Sequence, residues 1–291
     1  MVLQGDAAAF EAWANVQRPL IEARLQSGLS TYANHAVATQ SPLLDAMQHG
    51  VMNGGKRVRA LAVLAAGEWV GADVTMLLSV AAALEYMHAY SLIHDDLPCM
   101  DDDDLRRGQP TVHVVYGEAQ ALLAGDALQT LAFATLADID GLDAAVQLRL
   151  IRELARASGI IGMAGGQAID LHHVGQPLSM NDMQTMHALK TGALLHASLR
   201  MGSMNDDLTE YAQYLGLLFQ VVDDILDASQ NTAVLGKTAG KDDAANKPTY
   251  VRELGLAGAR DYAQELYQKT LSAAPTQRLA DLAAYCAKRD Y

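Results

Sequence analysis

Two long apolar segments constrain the fold of this chain more than any other feature. Residues 56–70 and 73–96 are apolar on almost every side of a helical projection, and Gly71-Ala72 separates them. Helices of this kind are stable only where other elements surround them. Hydrophobic residues make up 51% of the chain but aromatic residues only 5%, which favours helices packed through small side chains over a sandwich or barrel.

Helical patterns cover most of the remaining chain. Asp6 is a candidate cap of the first helix, and Pro19 predicts either a kink in that helix or the start of a second one. No convincing β-alternation, low-complexity linker or repeat is present. The prediction is a single all-α domain over residues 1–291. Its further helices are expected at about 6–27, 42–52, 117–137, 142–160, 179–203, 206–228, 248–272 and 276–289.

Charge and cysteine content narrow the classes of partner and compartment. The net charge of −13 disfavours nucleic acid and anionic membranes as partners. Cys99 and Cys286 provide no disulfide framework, which fits a reducing compartment. No apolar run of about 18 residues lacks a charge, and residues 1–17 show no signal-peptide pattern. We therefore expect a cytoplasmic protein without a transmembrane segment.

Aspartate is strongly preferred over glutamate, by 25 residues to 9, although glutamate is the better helix former. Asp223 and Asp227 stand four residues apart in an apolar helical segment, so their side chains project from one face about 5–6 Å apart. Burying two such carboxylates without a partner is costly, and a cation is the natural compensation. A solvated acidic helix edge is the alternative.

Earlier in the chain lies the first acidic cluster, Asp95-Asp96 and Asp101 to Asp104, which follows the apolar segment 73–96; Asp223, Asp224 and Asp227 form the second acidic cluster. Asp95 and Asp101 would face apart on a continuous helix, but Pro98 breaks the helix and allows the chain to bring Asp101 back towards Asp95. This cluster alone would be interpreted as an acidic surface run. Together the two clusters suit Mg²⁺, which characteristically binds one or two carboxylates and substrate phosphates.

The scarce basic residues lie beside the acidic clusters. Carboxylates for a metal next to cations for phosphate indicate a metal-bridged diphosphate site. The Gly-, Lys- and Asp-rich segment 229–247 is a candidate active-site loop. The basic residues concerned are Lys56, Arg57, Arg59, Arg106, Arg107, Lys237, Lys241 and Lys247.

Taken in order, these motifs resemble those of the trans-isoprenyl diphosphate synthases, most closely the bacterial farnesyl diphosphate synthase branch. The resemblance implies an all-α helical bundle of the isoprenoid synthase type with a central active-site cavity, usually a homodimer. It also implies an enzyme that joins isopentenyl diphosphate head-to-tail to dimethylallyl or geranyl diphosphate. The matching segments are Gly54 to Arg59, His88, Ser91 to Gly108, Lys190-Thr191, Phe219 to Asp227, Leu235 to Asp242 and Lys247 to Tyr250.

The resemblance further implies a role for each matching site residue. Mg²⁺, with Mn²⁺ as a substitute, would be held on the allylic diphosphate by Asp95, Asp101 and Asp223, supported by Asp96, Asp224 and Asp227. The same diphosphate would be bound by Arg106, Lys190, Lys237 and Lys247. Isopentenyl diphosphate would be bound by Lys56, Arg59, His88 and Arg107. Thr191 and Gln220 would lie near the allylic carbon.

The length of the prenyl product is the most detailed property that the resemblance lets us predict. Tyr90, five residues before Asp95, is expected with Ser91 to form the floor of the product pocket and to limit the product to C15. A core or interface tyrosine is the alternative for Tyr90. A C20 synthase, a class I terpene cyclase and a non-catalytic synthase subunit remain alternative functions. The histidines without a matching role are expected to be structural: His94, His172, His173, His187 and His196.

Overall fold

Helices form most of the computed structural model, which describes residues 3–176, 178–229 and 249–288. This confirms the all-α prediction. A single turn of π-helix, Ala188–Gly192, joins α10 to α11. The α-helices are α1 (Ala7–Ser30), α2 (Ala36–Gln40), α3 (Leu43–Met52), α4 (Val58–Val70), α5 (Val74–Asp95), α6 (Val112–Tyr116), α7 (Glu118–Ala137), α8 (Ala144–Ser158), α9 (Met163–His172), α10 (Met180–His187), α11 (Ala193–Ser203), α12 (Thr209–Ser229), α13 (Tyr250–Ala273) and α14 (Gln277–Ala287).

The two apolar segments form the centre of the core, as their patterns predict. Every residue of α4 from Ala60 to Gly67 is buried, and so is every residue of α5 from Ser79 to Met87. Helix α5 packs against α4 and α7, and α4 packs against α11. A Cβ atom on Gly202 would lie 2.3 Å from the Val63 carbonyl oxygen, so α11 can approach α4 this closely only with glycine there.

Helix α5 is, within the described ranges, the one helix long and apolar enough to cross a membrane by length and composition. About two thirds of its most apolar window, 67%, is buried inside the protein. Because other helices cover it, its apolar surface is explained by its place in the core.

Helix α1 is longer than the sequence suggests. The Asp6 carboxylate accepts hydrogen bonds from the backbone N–H groups of Ala8 (2.9 Å) and Ala9 (3.2 Å), which confirms the predicted cap. Pro19 lies inside the helix, so the alternative of a second helix starting there was wrong. Helical geometry continues on both sides of Pro19 because the apolar residues Phe10, Ile21 and Leu25 are buried along the same helix.

A short antiparallel pair, β1 (Leu105–Arg106) and β2 (Gln109–Pro110), follows the first acidic cluster. Leu105 pairs with Pro110, and Arg106 pairs with Gln109. Two-residue strands carry no alternation that a sequence pattern can show. The pair places Arg106 and Arg107 on a tight turn beside the end of α5.

Candidate active site

The chain reverses after α5, as Pro98 predicts. The backbone N–H of Asp101 donates to the carbonyl oxygen of Asp95 (2.9 Å), and that of Asp103 donates to the carbonyl oxygen of Asp96 (3.2 Å). Asp102 has the left-handed backbone conformation, with φ of 51°, which the reversal requires. The turn therefore brings Asp101 back to Asp95.

Asp95 lies in an environment that disfavours its ionised form. Burial raises its pKa to about 6, with Lys190 lowering it, Asp101 raising it and Arg106 lowering it. The side-chain amide of Gln167 donates to its Oδ1 at 2.9 Å. A cation bound beside Asp95 and Asp101 would compensate for the cost of keeping two neighbouring carboxylates ionised.

Asp96 is paired with Arg106, whereas Asp95 accepts from Gln167. Asp96 is buried, and both of its oxygens accept from Nε of Arg106 at 2.9 Å while Nη2 donates to Oδ1 at 2.5 Å. Burial acts to lower the pKa of Arg106, but the pairing with Asp96 raises it above the ordinary value. A bidentate pair of this kind fixes the plane of the guanidinium group. Asp96 thus orients Arg106 next to Asp95.

Lys190 and Thr191 lie on the π-helical turn. The helix predicted over 179–203 is confirmed, and the π-helical turn lies within it; such turns are frequent at functional sites. The Lys190 Nζ donates to Oδ2 of Asp170 on α9 at 2.6 Å. Helix α9 contacts the turn closely, because a Cβ atom on Gly166 would lie 2.2 Å from the Lys190 backbone nitrogen.

The second acidic cluster lies on α12, as predicted, with Asp224 and Asp227 only 4% and 8% exposed. The alternative of a solvated acidic edge was therefore wrong. Asp224 accepts from the Gln220 side-chain amide at Oδ1 (2.8 Å) and from the Tyr250 backbone N–H at Oδ2 (2.8 Å). Thr191 in turn donates to Gln220 Oε1 at 3.0 Å. One chain of hydrogen bonds thus joins the π-helical turn, α12 and α13.

His187 is a buried histidine whose pKa is affected by charged residues of the site. Burial lowers its pKa to about 4, while the charge of Asp170 raises it, Lys190 lowers it and Asp223 raises it. Lys190 also acts on Asp95. Helix α9 contacts Asp95 through Gln167 and Lys190 through Asp170, and Thr191, next to Lys190, contacts Gln220 of α12, so both clusters border a single site.

The charges of four arginines act on His88, next to this site. Burial, followed by the positive charges of Arg59, Arg107, Arg106 and Arg57, holds the pKa of His88 well below its ordinary value. A neutral imidazole can donate a hydrogen bond to an anion without adding a proton to it. This concentration of arginines makes the region suited to a second anionic group, although Arg57 is also paired with glutamates and Arg106 with Asp96.

Arg107 is held at the edge of this region by the Gly54-Gly55 turn. It donates to Asn53 Oδ1 at 3.0 Å and to the Gly54 carbonyl oxygen. Burial and the neighbouring charge of Arg57 lower its pKa to about 10. Gly55 has φ of +120°, and a Cβ atom there would lie 2.7 Å from the guanidinium carbon. Glycine is therefore required where the backbone meets Arg107.

Arg57 has a structural position, unlike its neighbours in the basic motif. It is 5% exposed and contacts Glu22 of α1 and Glu85 of α5. The second oxygen of Glu85 accepts from the Ala60 backbone N–H at 3.2 Å, at the start of α4. This network fixes the segment that carries Lys56 and Arg59.

Several sequence-predicted features cannot be placed. Lys237 and Lys247 lie outside the described residues, and so does the candidate loop apart from Ser229. Among residues 3–176, 178–229 and 249–288, no group of three or more His, Cys, Asp or Glu side chains is arranged to hold a metal ion. Mg²⁺ held largely by substrate phosphates needs no such cage, so the pair Asp95 and Asp101 fits this type of site.

Two residues of the site were missed by the sequence pattern. Gln167 and Asp170 lie on α9, which was not predicted, and they contact Asp95 and Lys190. Four glycines between 159 and 166 obscured the helical period. The available signal was an acidic residue, Asp170, within a short apolar stretch.

The comparisons with known proteins agree with this geometry. A polyprenyl synthetase family model matches residues 40–286. Farnesyl diphosphate synthase of Escherichia coli (strain K12) is 46% identical over 269 residues, which is 86% of this chain and 90% of that protein. Geranylgeranyl pyrophosphate synthase 11, chloroplastic, of Arabidopsis thaliana is 45% identical over 258 residues, 84% of this chain and 72% of that protein.

A solved structure has the same architecture. The crystal structure of geranyltransferase from Helicobacter pylori, complexed with magnesium and isoprenyl diphosphate, has a TM-score of 0.76 and 35% sequence identity. The match covers 91% of this chain and 94% of that one. With the family model matching most of its length, the chain belongs to the polyprenyl synthetase family.

Proposed function

We propose that this protein is a Mg²⁺-dependent prenyltransferase that condenses isopentenyl diphosphate head-to-tail with dimethylallyl or geranyl diphosphate to give farnesyl diphosphate and diphosphate. The observation that carries the proposal is the pair of adjoining regions. One combines Asp95 and Asp101 with Lys190 and Arg106, and the other gathers arginines around His88. Two anionic substrates held side by side require such a pair. The names of the relatives support the same reaction.

The first region would hold the allylic substrate. Asp95, Asp101 and Asp223 would hold the ions, with Asp96, Asp224 and Asp227 in support, and Arg106, Lys190, Lys237 and Lys247 would bind the diphosphate. Bound Mg²⁺, or Mn²⁺ in its place, would neutralise the charge that builds on the departing diphosphate. Lys190 and Arg106 stabilise that same charge from positions fixed by Asp170 and Asp96, so little reorganisation is needed when the C1–O bond breaks.

The second region would hold isopentenyl diphosphate through Lys56, Arg59, His88 and Arg107. Its double bond attacks C1 of the allylic cation, a carbon–carbon bond forms, and a proton passes to the released diphosphate. Thr191 and Gln220, joined by a hydrogen bond of 3.0 Å, would direct their dipoles towards the allylic carbon. The apolar walls of the helices keep water from the cation.

The reaction is tested by diphosphate release from purified protein supplied with Mg²⁺, isopentenyl diphosphate and geranyl diphosphate. Release is expected only when both substrates and the metal are present, and EDTA should abolish it. Equal release without isopentenyl diphosphate would indicate ionisation without condensation, as in a terpene cyclase. No release under any condition would contradict the proposal.

The polypeptide is proposed to be one domain over residues 1–291, located in the cytoplasm, and to act as a homodimer. Val114, Val115, Leu122 and Leu123 on α6 and α7 are 48–50% exposed, a run of apolar side chains that a second copy would cover. Sedimentation at micromolar concentration tests the dimer. A monomer at that concentration would contradict it.

The pKa of Asp95 predicts a pH-dependent metal requirement. Because its pKa is about 6, protons compete with Mg²⁺ below pH 6 and the affinity should fall by about tenfold per pH unit there, with little change above. Because Mg²⁺ is held largely by the substrate phosphates, the slope is measured as the Mg²⁺ concentration that gives half-maximal diphosphate release from pH 5 to 8. Asp95→Asn should remove the slope. A slope that persists in this variant would show that another group titrates.

Tyr90 is proposed as the floor of the product pocket. Burial and the negative charge of Asp95 raise its pKa, which supports a position close to the first acidic cluster. Tyr90→Ala should shift the product to C20 or longer, because the ring no longer blocks the growing chain, whereas Tyr90→Phe keeps the ring and should keep C15. Chromatography of the products distinguishes them. An identical product pattern in Tyr90→Ala would assign Tyr90 to the core only.

A further inference from the structure

The ring of Tyr90 rests on the imidazole of His94, one turn further along α5. The two rings meet edge to face, with centroids 5.1 Å apart and planes at 82°. His94 Nε2 donates to the Leu122 carbonyl oxygen of α7 at 2.9 Å, since a carbonyl can only accept, and lies 4.0 Å from Asp126 Oδ1. His94 is thus fixed between the two helices.

Gly125 makes room for this imidazole. A Cβ atom on Gly125 would lie 2.1 Å from His94 Nε2 and 2.4 Å from Cδ2, both impossible contacts. Glycine is a poor residue for the interior of a helix, yet α7 has it where the His94 ring lies against the helix. Gly125 lowers the helix propensity of α7 but leaves space for the His94 imidazole. This indicates that the position of that ring matters.

Helix α7 also contributes residues that lie near the Tyr90 hydroxyl group. The side chains of Gln129 and Asp126 lie close enough to Tyr90 to act on the pKa of its hydroxyl group, which Gln129 lowers and Asp126 raises. The phenol ring therefore has Gln129 and Asp126 near its hydroxyl group and packs against the imidazole of His94. Of these supports, His94 alone has a rigid ring and a fixed partner on each side.

We propose that His94 is a positioning residue for chain length, which holds the ring of Tyr90 across the product pocket and is itself placed by Leu122 and Gly125. The inference rests on the proposed function, because it concerns the length of a prenyl product. It assigns to His94 a role that the sequence pattern did not: we expected a structural histidine. A change at His94 should alter where elongation stops.

The test compares the C20-to-C15 product ratio in variants on two helices. His94→Ala removes the ring, and Gly125→Ala displaces it with a methyl group. Each should raise the ratio by about tenfold or more. This is the size of effect that a single methylene group has on discrimination in a hydrophobic pocket. The double variant should show no more than the larger single effect, because once the imidazole is gone the new methyl group has no ring to displace.

Conservative variants separate positioning from a general structural role. His94→Phe keeps the edge contact with Tyr90 and should return the product towards C15, whereas a merely structural role would lower the melting temperature and leave the ratio unchanged. Gly125→Ala keeps the inference testable if His94→Ala fails to fold, because alanine favours the helix. C15 product from the unaltered protein together with an unchanged ratio in Gly125→Ala and His94→Ala would overturn this inference alone. No prenyl product from the unaltered protein would overturn the proposed function and this inference with it.

Discussion

Replacing Asp95 by Asn should lower kcat/KM by on the order of 10²–10³-fold at saturating Mg²⁺. Asparagine has the same size and can keep a hydrogen bond with Gln167, which now contacts Oδ1 of Asp95 at 2.9 Å. The change therefore removes a charge and little else. Asp101 disfavours the negative charge of Asp95 and Lys190 favours it. We expect this charge to hold the metal on the leaving group.

A matched control comes from the same acidic cluster. Asp102 is exposed and adopts φ of 51°, a conformation that asparagine accommodates well. Asp102→Asn makes the same change of charge seven residues along the chain and should leave kcat/KM within about twofold, since surface changes are nearly neutral. Steady-state kinetics and circular dichroism on both variants decide the matter. Equal losses in the two variants would mean that the cluster acts only through its overall charge.

Replacing Arg57 by Met should lower the free energy of unfolding by about 3–5 kcal/mol, because it removes one partner of a buried ion network. Nε and Nη2 of Arg57 donate to Glu22 at 2.7 and 3.2 Å, Nη1 donates to Glu85 at 3.3 Å, and Nη2 donates to the Val51 carbonyl oxygen at 2.7 Å. The Glu85 side chain is only 3% exposed. Without Arg57 its charge would remain buried.

Thermal unfolding followed by circular dichroism measures this loss. A shift of roughly 2–4 °C is expected for each kcal/mol in a chain of this size class. Arg149→Met removes an exposed pair with Asp206, 3.9 Å apart, and should cost about 0–1 kcal/mol. Adding Glu85→Gln to Arg57→Met should recover part of the loss, because glutamine keeps an acceptor for the Ala60 N–H without the charge. A loss as small as that of Arg149→Met would contradict the network.

The features predicted correctly are those that depend on local pattern. The apolar sequence of α4 and α5 predicts burial on all sides, and both helices are buried. The four-residue spacing predicts that Asp223 and Asp227 share a helix, and Pro98 predicts the turn that returns Asp101 to Asp95. Each of these follows from the period of a helix or from the missing N–H of proline.

The features that were missed depend on contacts between distant segments. Helix α9 has glycines at Gly165 and Gly166, which local propensity disfavours, yet the close contact with Lys190 requires a glycine. The π-helical turn has no period of its own in the sequence and forms where α9 and α12 meet it. The sequence does not show which of the three basic residues at 56, 57 and 59 is structural; the contacts of Arg57 with Glu22 on α1 and Glu85 on α5 show it.

The most direct measurement of the central claim is the chain length of the product. The purified protein, Mg²⁺, isopentenyl diphosphate and dimethylallyl diphosphate are incubated together, the products are dephosphorylated, and the alcohols are separated by chromatography against C10, C15 and C20 standards. The account predicts farnesol as the main product, with no product when EDTA is present. A cyclised hydrocarbon, a main product of C20 or longer, or unreacted substrates would contradict it.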